Sequence, residues 1–149
     1  MSTSQPIVVQ VKRTFAASPE RVFDAWLDPA RAGKWLFATP DGEMLQVEID
    51  AKVGGHFLIV ERRPDGDADH YGTYLEIDRP QRLVFLFTTE RYSVEGDRVT
   101  IEIVPTATGC ELTLTQEMQP KWAEYAERTT AGWTMILESL DRALSDLSS

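Results

Sequence analysis

The side chains best suited to metal binding or nucleophilic catalysis in this sequence are two histidines and one cysteine. His56 and His70 stand at a strand end and in an acidic turn, with no Cys or His at metal-ligand spacing around them. Catalytic zinc sites use three protein ligands, and motifs such as H-E-x-x-H do not occur in the sequence. Cys110 has no activating base beside it in the sequence, so we expect an inert thiol. We therefore predict no catalytic residue, no metal and no cofactor.

Acid–base catalysis would need an ionisable group that is withdrawn from water into the interior. Alternation along the predicted strands directs most carboxylates outward, namely Glu48, Asp50, Glu76, Glu102 and Glu111. Tyr71 and Tyr74 differ by three positions, so at most one of them faces the interior. We expect His70 to be exposed among acidic turn residues, whereas His56 is either a surface residue or a polar contact in a pocket.

The net charge argues against anionic partners. The 149 residues carry 24 acidic and 15 basic side chains, which gives a formal charge of -9. Nucleic-acid binding needs a concentrated basic surface, whereas the basic residues here form small groups beside acids, as at Arg62-Arg63. We therefore predict no nucleic-acid partner.

The sequence also favours a cytoplasmic protein without a membrane span. Its first residues, MSTSQP, do not resemble a secretory signal. No apolar run approaches the roughly 18 residues that a transmembrane helix needs. A single cysteine cannot form an internal disulfide, so nothing in the sequence requires an oxidising compartment.

The stretch SPERVFDAWLDPARAGKWL, residues 18–36, predicts two short helices after a first strand at residues 7–15. A serine–proline pair and an aspartate–proline pair each combine an N-cap residue with a proline suited to the first helical turn. Both helices are too short to be stable alone, so they must pack on another part of the protein.

From residue 44 the hydrophobic period changes to two, and turn sequences separate six further strands. Leu45, Val47 and Ile49 share one face of the first of these strands. From Pro120, apolar residues recur at helical spacing, which predicts a final helix of about 40 Å. Gly132 inside this helix indicates a close approach of another backbone, a bend, or simple tolerance of glycine.

The predicted order of elements is therefore strand, two short helices, six strands and one long helix, an α+β arrangement in a single domain over residues 1–149. The long helix can bury its apolar stripe by lying across the concave face of an antiparallel sheet of about seven strands. A curved sheet is hard to fill around one straight helix, so we expect an apolar cavity between them. The residues expected to line it are Trp26, Trp35, Phe37, Phe57, Tyr74, Phe85, Phe87, Trp133 and Leu137. Plain core packing is the alternative for each aromatic residue.

This order of elements resembles the helix-grip fold of the START/SRPBCC superfamily, which includes the birch-pollen allergen. More narrowly, the sequence resembles the AHSA-like branch, which is similar to the C-terminal domain of the activator of heat-shock protein 90 ATPase. The pieces that carry the resemblance are residues 18–36, VGGHF at 53–57, GTYLEIDRPQRLVFLF at 72–87 and GWTMILESLDRAL at 132–144. Many relatives have an arginine after the double glycine, where this sequence has His56.

The resemblance implies a cavity between helix and sheet that binds small, mostly apolar molecules. It does not imply one chemistry, because relatives include lipid carriers, hormone receptors, cyclases and chaperone co-activators. Our leading hypothesis is a protein that binds a small apolar or amphipathic molecule without catalysing a reaction. The alternative is an enzyme of cyclase, hydrolase or isomerase type that uses Tyr74 or His56 as a general acid.

A chaperone partner is a third hypothesis and is less favoured, because that activity in relatives draws on an additional N-terminal domain. A homodimer is compatible with the predicted edge strands, which do not by themselves establish it.

Overall fold

The computed structural model describes residues 7–36, 42–64, 66–88, 96–118 and 120–147. These residues form an antiparallel sheet with strands β1 Ile7–Phe15, β2 Glu43–Ile49, β3 His56–Arg63, β4 Gly66–Asp78, β5 Arg82–Thr88, β6 Asp97–Thr106 and β7 Gly109–Met118. The helices are α1 Pro19–Leu27, α2 Pro29–Trp35, a 3₁₀ helix Pro120–Tyr125 and α3 Ala126–Leu147. The order of elements confirms the predicted helix-grip α+β fold.

Successive strands from β2 to β7 are neighbours in the sheet, and β1 pairs with β7. The order across the sheet is β1-β7-β6-β5-β4-β3-β2, so β1 and β2 form its two edges. Helix α3 lies against β1 and against both short helices. Within the described ranges, no helix is long and apolar enough to cross a membrane.

Local capping explains why two short helices follow β1. The Ser18 hydroxyl accepts a hydrogen bond from the backbone N–H of Arg21 at 3.2 Å, and the Asp28 carboxylate accepts one from Ala30 at 3.0 Å. Each acceptor satisfies an N–H that the first helical turn would otherwise leave unpaired. Both predicted helix starts are therefore confirmed.

Three arginines tie the helices to the rest of the fold. Arg79 in the β4–β5 turn donates two hydrogen bonds to the Asp24 carboxylate of α1, at 2.7 and 2.9 Å. This pairing, together with the positive charge of Arg79, lowers the pKa of Asp24.

The other two arginines anchor the C-terminal half of α3. Arg13 of β1 pairs with Asp141 at 2.8 Å, and Arg21 of α1 donates to the Leu144 carbonyl at 3.0 Å. A charge pair as exposed as Arg13–Asp141 stabilises a protein only weakly, but together with the Arg21 hydrogen bond it fixes where the helix rests.

The core lies between α3 and one face of the sheet, which we call the inner face. Alternation places every second residue of a strand there, as with Val99, Ile101 and Ile103 of β6. Helix α3 contributes its buried stripe of Trp133, Leu137, Leu140 and Leu144. A separate small cluster of Leu58, Val60 and Tyr71 lies on the opposite, outer face.

The structure departs from the sequence-based expectations in β2 and in the last helix. Leu45 is the extra residue of a bulge between Met44 and Gln46, and it is 40% exposed instead of sharing a face with Val47. The α-helix begins at Ala126 after the 3₁₀ helix, so its 22 residues span about 33 Å instead of 40 Å.

Gly132 faces open space within the described part of the chain. A Cβ placed at this position would have no heavy atom within 4 Å apart from the backbone of its own helix. This finding excludes a close approach of another backbone there and leaves a bend or simple tolerance of glycine.

Candidate functional site

Aromatic side chains from three helices and one strand meet above the inner face. The rings of Trp26 and Trp35 pack edge to face with centroids 4.7 Å apart. The centroid of the Trp26 ring also lies 6.4 Å from that of Phe85 and 6.4 Å from that of Trp133. The two short helices and α3 are thereby joined to the middle of the sheet through one indole.

The same contacts continue along the sheet. Between ring centroids, Phe57 is 5.4 Å from Phe85 and 5.6 Å from Tyr74. The centroids of the Phe87 and Trp133 rings are 6.1 Å apart. We call this group the aromatic cluster, with members Trp26, Trp35, Phe57, Tyr74, Phe85, Phe87 and Trp133. Leu137, one turn after Trp133 in α3, is buried in the same core. The structure thus brings these eight of the nine residues expected to line a cavity into one core, whereas Phe37 lies outside the described residues.

Gly72 of β4 makes room for the Phe57 ring. A Cβ at Gly72 would lie 2.3 Å from Cε2 of Phe57 and 2.1 Å from the Leu86 carbonyl oxygen. The ring therefore rests directly over the backbone of the neighbouring strand, which pairs Phe57 with Gly72. Any side chain at this position would push the Phe57 ring off the sheet.

Part of the inner face remains accessible to solvent. Phe85 is buried, but Phe87, two positions further along the same face of β5, is only partly buried. Seven other apolar side chains pack on the core in the same partly accessible way, namely Leu27, Met44, Val47, Ile49, Ile77, Ile136 and Ala143. Met44, Val47 and Ile49 come from the edge strand β2 and Ile136 comes from α3, so part of the accessible apolar surface lies on that edge of the sheet and part on the long helix.

Polar side chains on the inner face lie on β3, β4, β6 and β7, around Phe87 of β5. We call this group the polar row, with members Glu61, His70, Asp97 and Gln116. The Gln116 amide joins two of its neighbours, because Gln116 accepts a hydrogen bond from Trp133 Nε1 at 2.6 Å and donates to Asp97 at 2.8 Å. Burial raises the pKa of the Asp97 carboxyl.

His70 is the main correction to the sequence-based site. We expected an exposed turn, but β4 begins at Gly66, and His70 is a strand residue that is 6% exposed. Its Nδ1 lies 3.1 Å from the Ile59 carbonyl oxygen, so that nitrogen carries the proton and donates. The ring stacks on Phe87 with centroids 6.0 Å apart. Burial lowers the pKa of His70 to about 4, so the ring is neutral at pH 7.

Glu61 is a buried carboxylate that sequence reasoning also missed. It is 1% exposed and accepts from Arg63 at 2.6 Å. Strand alternation in the sequence could have placed both Glu61 and Gln116 on the inner face. Glu61 follows Phe57 and Ile59 at every second position of β3. Gln116 in the same way follows Leu112 and Leu114. An apolar pattern alone does not reveal such inward polar residues, because it assigns only apolar side chains to the inner face.

His56 is not a polar contact of the inner face. The residue is exposed, its ring stacks on Tyr71 with centroids 5.4 Å apart, and its Nδ1 lies 3.0 Å from the Thr73 hydroxyl. Tyr71 belongs to the outer-face cluster and Tyr74 to the inner core, which confirms that the two tyrosines face opposite ways.

The remaining reactive groups are held in forms that disfavour ionisation. Burial raises the pKa of the Tyr74 phenol and that of the Cys110 thiol, so both stay protonated at neutral pH. Among the described residues, no three Cys, His, Asp or Glu side chains lie close enough together to hold a metal ion. The site as described can exclude water from an apolar molecule and offer it a few polar groups at one end.

A family model described as Activator of Hsp90 ATPase homolog 1-like protein matches residues 16–145. The chain belongs to this family. The match covers both short helices, strands β2 to β7 and most of α3, which are the elements that build the aromatic cluster and the polar row.

Solved structures of similar proteins show the same fold. A crystal structure of a protein from Chromobacterium violaceum is 27% identical, with a TM-score of 0.78 and coverage of 91% of this chain and 94% of the other. A protein from Nitrosomonas europaea is 23% identical, with a TM-score of 0.83 and coverage of 95% and 96%. An AHSA1-like protein from Aeromonas hydrophila, solved by NMR, is 23% identical, with a TM-score of 0.82 and coverage of 95% and 94%. The search of curated proteins found no match.

Proposed function

We propose that this member of the Activator of Hsp90 ATPase homolog 1-like family binds a small apolar or amphipathic molecule between α3 and the inner face of the sheet. The fold is consistent with a ligand-binding domain. The observation that carries the proposal is the accessible apolar surface on the inner face. Phe87, Val47 and Ile136 all pack on the core, yet solvent still reaches part of each side chain.

The aromatic cluster supplies the apolar wall of the proposed site. Aromatic rings and aliphatic side chains line most small-molecule sites, where a few polar groups fix the orientation of the ligand. The polar row supplies such groups beside Phe87, which is why an amphipathic molecule fits better than a hydrocarbon without polar atoms.

Binding is tested with a panel of fatty acids, sterols and polycyclic aromatic compounds, followed by thermal shift and by quenching of tryptophan fluorescence. Ligands that bind the folded state raise its melting temperature, and three of the four tryptophans lie in the aromatic cluster. The proposal predicts stabilisation by at least one class of compound. A panel that neither stabilises the protein nor changes its fluorescence would contradict it.

A matched pair of variants tests where the ligand binds. Ile136→Trp enlarges a side chain that packs on the core and that solvent partly reaches, and we expect it to weaken binding by about tenfold or more. Met135→Trp is the control, because Met135 is the preceding residue and is 55% exposed on the outer side of the helix. Equal affinities in the two variants would place the ligand elsewhere.

A second candidate is catalysis within the same space, and the inward position of His70 is the observation that favours it. His70 is neutral at pH 7 and so can accept a proton, but its pKa of about 4 makes it a weak base there. Hydrolysis of p-nitrophenyl esters is a direct test of the hydrolase branch. Turnover above buffer that is lost in His70→Phe would favour the enzyme, and no turnover would favour binding alone.

Other sequence-based hypotheses stay predictions. They are the single domain over residues 1–149, the cytoplasmic location, the lack of a nucleic-acid partner and the open question of a homodimer. A chaperone partner remains the least favoured of them.

A further inference from the structure

The indole N–H of Trp26 is buried without a hydrogen-bond acceptor among the described residues. Trp26 is 2% exposed, so water does not reach this group as it would at the surface. Leaving a buried donor unpaired costs about 1–3 kcal/mol, and buried donors in native proteins are nearly always paired. The unpaired indole N–H of Trp26 therefore needs an explanation.

The other two indoles of the aromatic cluster make the contrast clear. Trp35 Nε1 donates to the Ala25 carbonyl at 3.2 Å, and Trp133 Nε1 donates to the Gln116 side chain at 2.6 Å. Trp26 instead has rings around it, those of Trp35, Phe85 and Trp133. The unpaired N–H thus belongs to the residue that joins the short helices, α3 and the sheet.

We propose that the ligand of this site carries an uncharged hydrogen-bond acceptor, such as a ketone or ester carbonyl oxygen, that accepts from Trp26 Nε1. This inference rests on the proposed function and names the class of molecule that fits it. An indole N–H only donates, so a ligand ammonium group would leave it unpaired. The three ring neighbours of Trp26 carry no charge, and burying an anion among uncharged groups costs far more than burying a carbonyl.

Matched pairs of probes isolate the acceptor. Fluorenone and fluorene differ by a carbonyl in place of a methylene, and benzophenone and diphenylmethane differ in the same way. We expect wild-type protein to bind each ketone about fivefold more tightly than its hydrocarbon, which corresponds to one net hydrogen bond of about 1 kcal/mol. Binding is measured by fluorescence quenching or calorimetry.

Replacement of the donor should remove this preference. Trp26→Phe keeps an aromatic ring without the N–H, so the ratio of affinities should fall to about one. Trp133→Phe is the control, because its N–H is already bonded to Gln116. That variant should change the affinity for both members of a pair alike and keep their ratio.

A measurement on wild-type protein covers the case in which Trp26→Phe does not fold. In a ¹H–¹⁵N spectrum, fluorenone should move the Trp26 indole signal downfield, whereas fluorene should not. If the N–H instead points at the face of the Trp35 ring, both probes will leave it unchanged, which overturns the inference.

The outcomes separate this inference from the proposed function. Equal binding of ketone and hydrocarbon, or a preference that persists in Trp26→Phe, overturns the inference while the apolar site stands. Failure of both probe pairs and of the wider panel overturns the proposed function, and the inference falls with it.

Discussion

The aromatic cluster and the polar row share one face of the sheet but are built in different ways. Trp26, Trp35 and Phe85 are buried and pack ring against ring. In the polar row, His70 and Gln116 make directed hydrogen bonds, to the Ile59 carbonyl and to Trp133 and Asp97, beside a phenylalanine that solvent partly reaches. One side of the inner face therefore serves the stability of the fold, while the other retains polar groups that a core would not need.

The largest expected effect is in the aromatic cluster. Trp35→Ala removes a fully buried indole and its hydrogen bond to the Ala25 carbonyl, and we expect a loss of about 3–5 kcal/mol in the free energy of unfolding. Phe87→Ala removes the partly accessible ring of the same cluster, the one beside the polar row, and should cost clearly less. Urea unfolding of the two variants tests the comparison, and equal losses would break it.

The polar row should make stability depend on pH. The unfolded chain protonates His70 near pH 6.5, but the folded protein does so only near pH 4, because the ring is buried. Stability is therefore full above pH 6.5, falls as the pH drops through this window, and is lower by about 3 kcal/mol at pH 4. Urea unfolding from pH 7 to pH 4 measures the loss, and His70→Phe should flatten that part of the profile.

Asp97 provides a control of opposite sign in the same row. Its carboxyl has a raised pKa in the folded protein, so the folded state takes up this proton more readily and gains stability as the pH falls. Asp97→Asn should therefore steepen the loss of stability on acidification. If neither substitution changes the pH dependence of stability, burial of His70 and Asp97 does not control that dependence.

A smaller effect is expected where β4 passes under the aromatic cluster. Gly72→Ala forces the Phe57 ring and the Leu86 carbonyl away from the new methyl group, which should cost about 1–3 kcal/mol. Thr73→Ala is the neighbouring control, since Thr73 points to the outer face, where it contacts His56. Thermal unfolding distinguishes the two, and a tolerated Gly72→Ala would show that the Phe57 ring can shift freely.

The smallest predicted change is a gain. Gly132→Ala places a methyl group in open space one residue before Trp133, and it should stabilise α3 by up to about 1 kcal/mol. Thermal unfolding measures the gain. A loss of stability would mean that this end of α3 packs more tightly than the described residues indicate.

Sequence reasoning identified elements more reliably than the polar groups of the site. Strand β1 and the two capped helices follow from local signals, because a cap residue and a proline act over a few positions. His70 was misplaced because the acidic residues around it read as a turn, whereas strand alternation puts Asp67 and Asp69 outward and His70 inward. Leu45 was misplaced because a bulge shifts the register, which no pattern of period two reveals.

Among the site residues too, those set by sequence pattern could be predicted and those set by packing could not. Aromatic residues could be assigned to the inner face because apolar period and fold order agree there. The orphan N–H of Trp26 could not be predicted, because whether a donor finds a partner depends on distances of a few tenths of an ångström in the packed core.

Both arginine contacts to α3, from Arg13 and Arg21, fall in the last two turns of that helix, at Asp141 and Leu144. Ile136 lies more than one turn before them, beside the accessible apolar surface. The arginine contacts thus hold the helix after Ile136, and the hydrogen bond from Trp133 to Gln116 holds it before Ile136. A molecule that binds beside Ile136 would therefore meet a helix that polar contacts hold on both sides of the binding position.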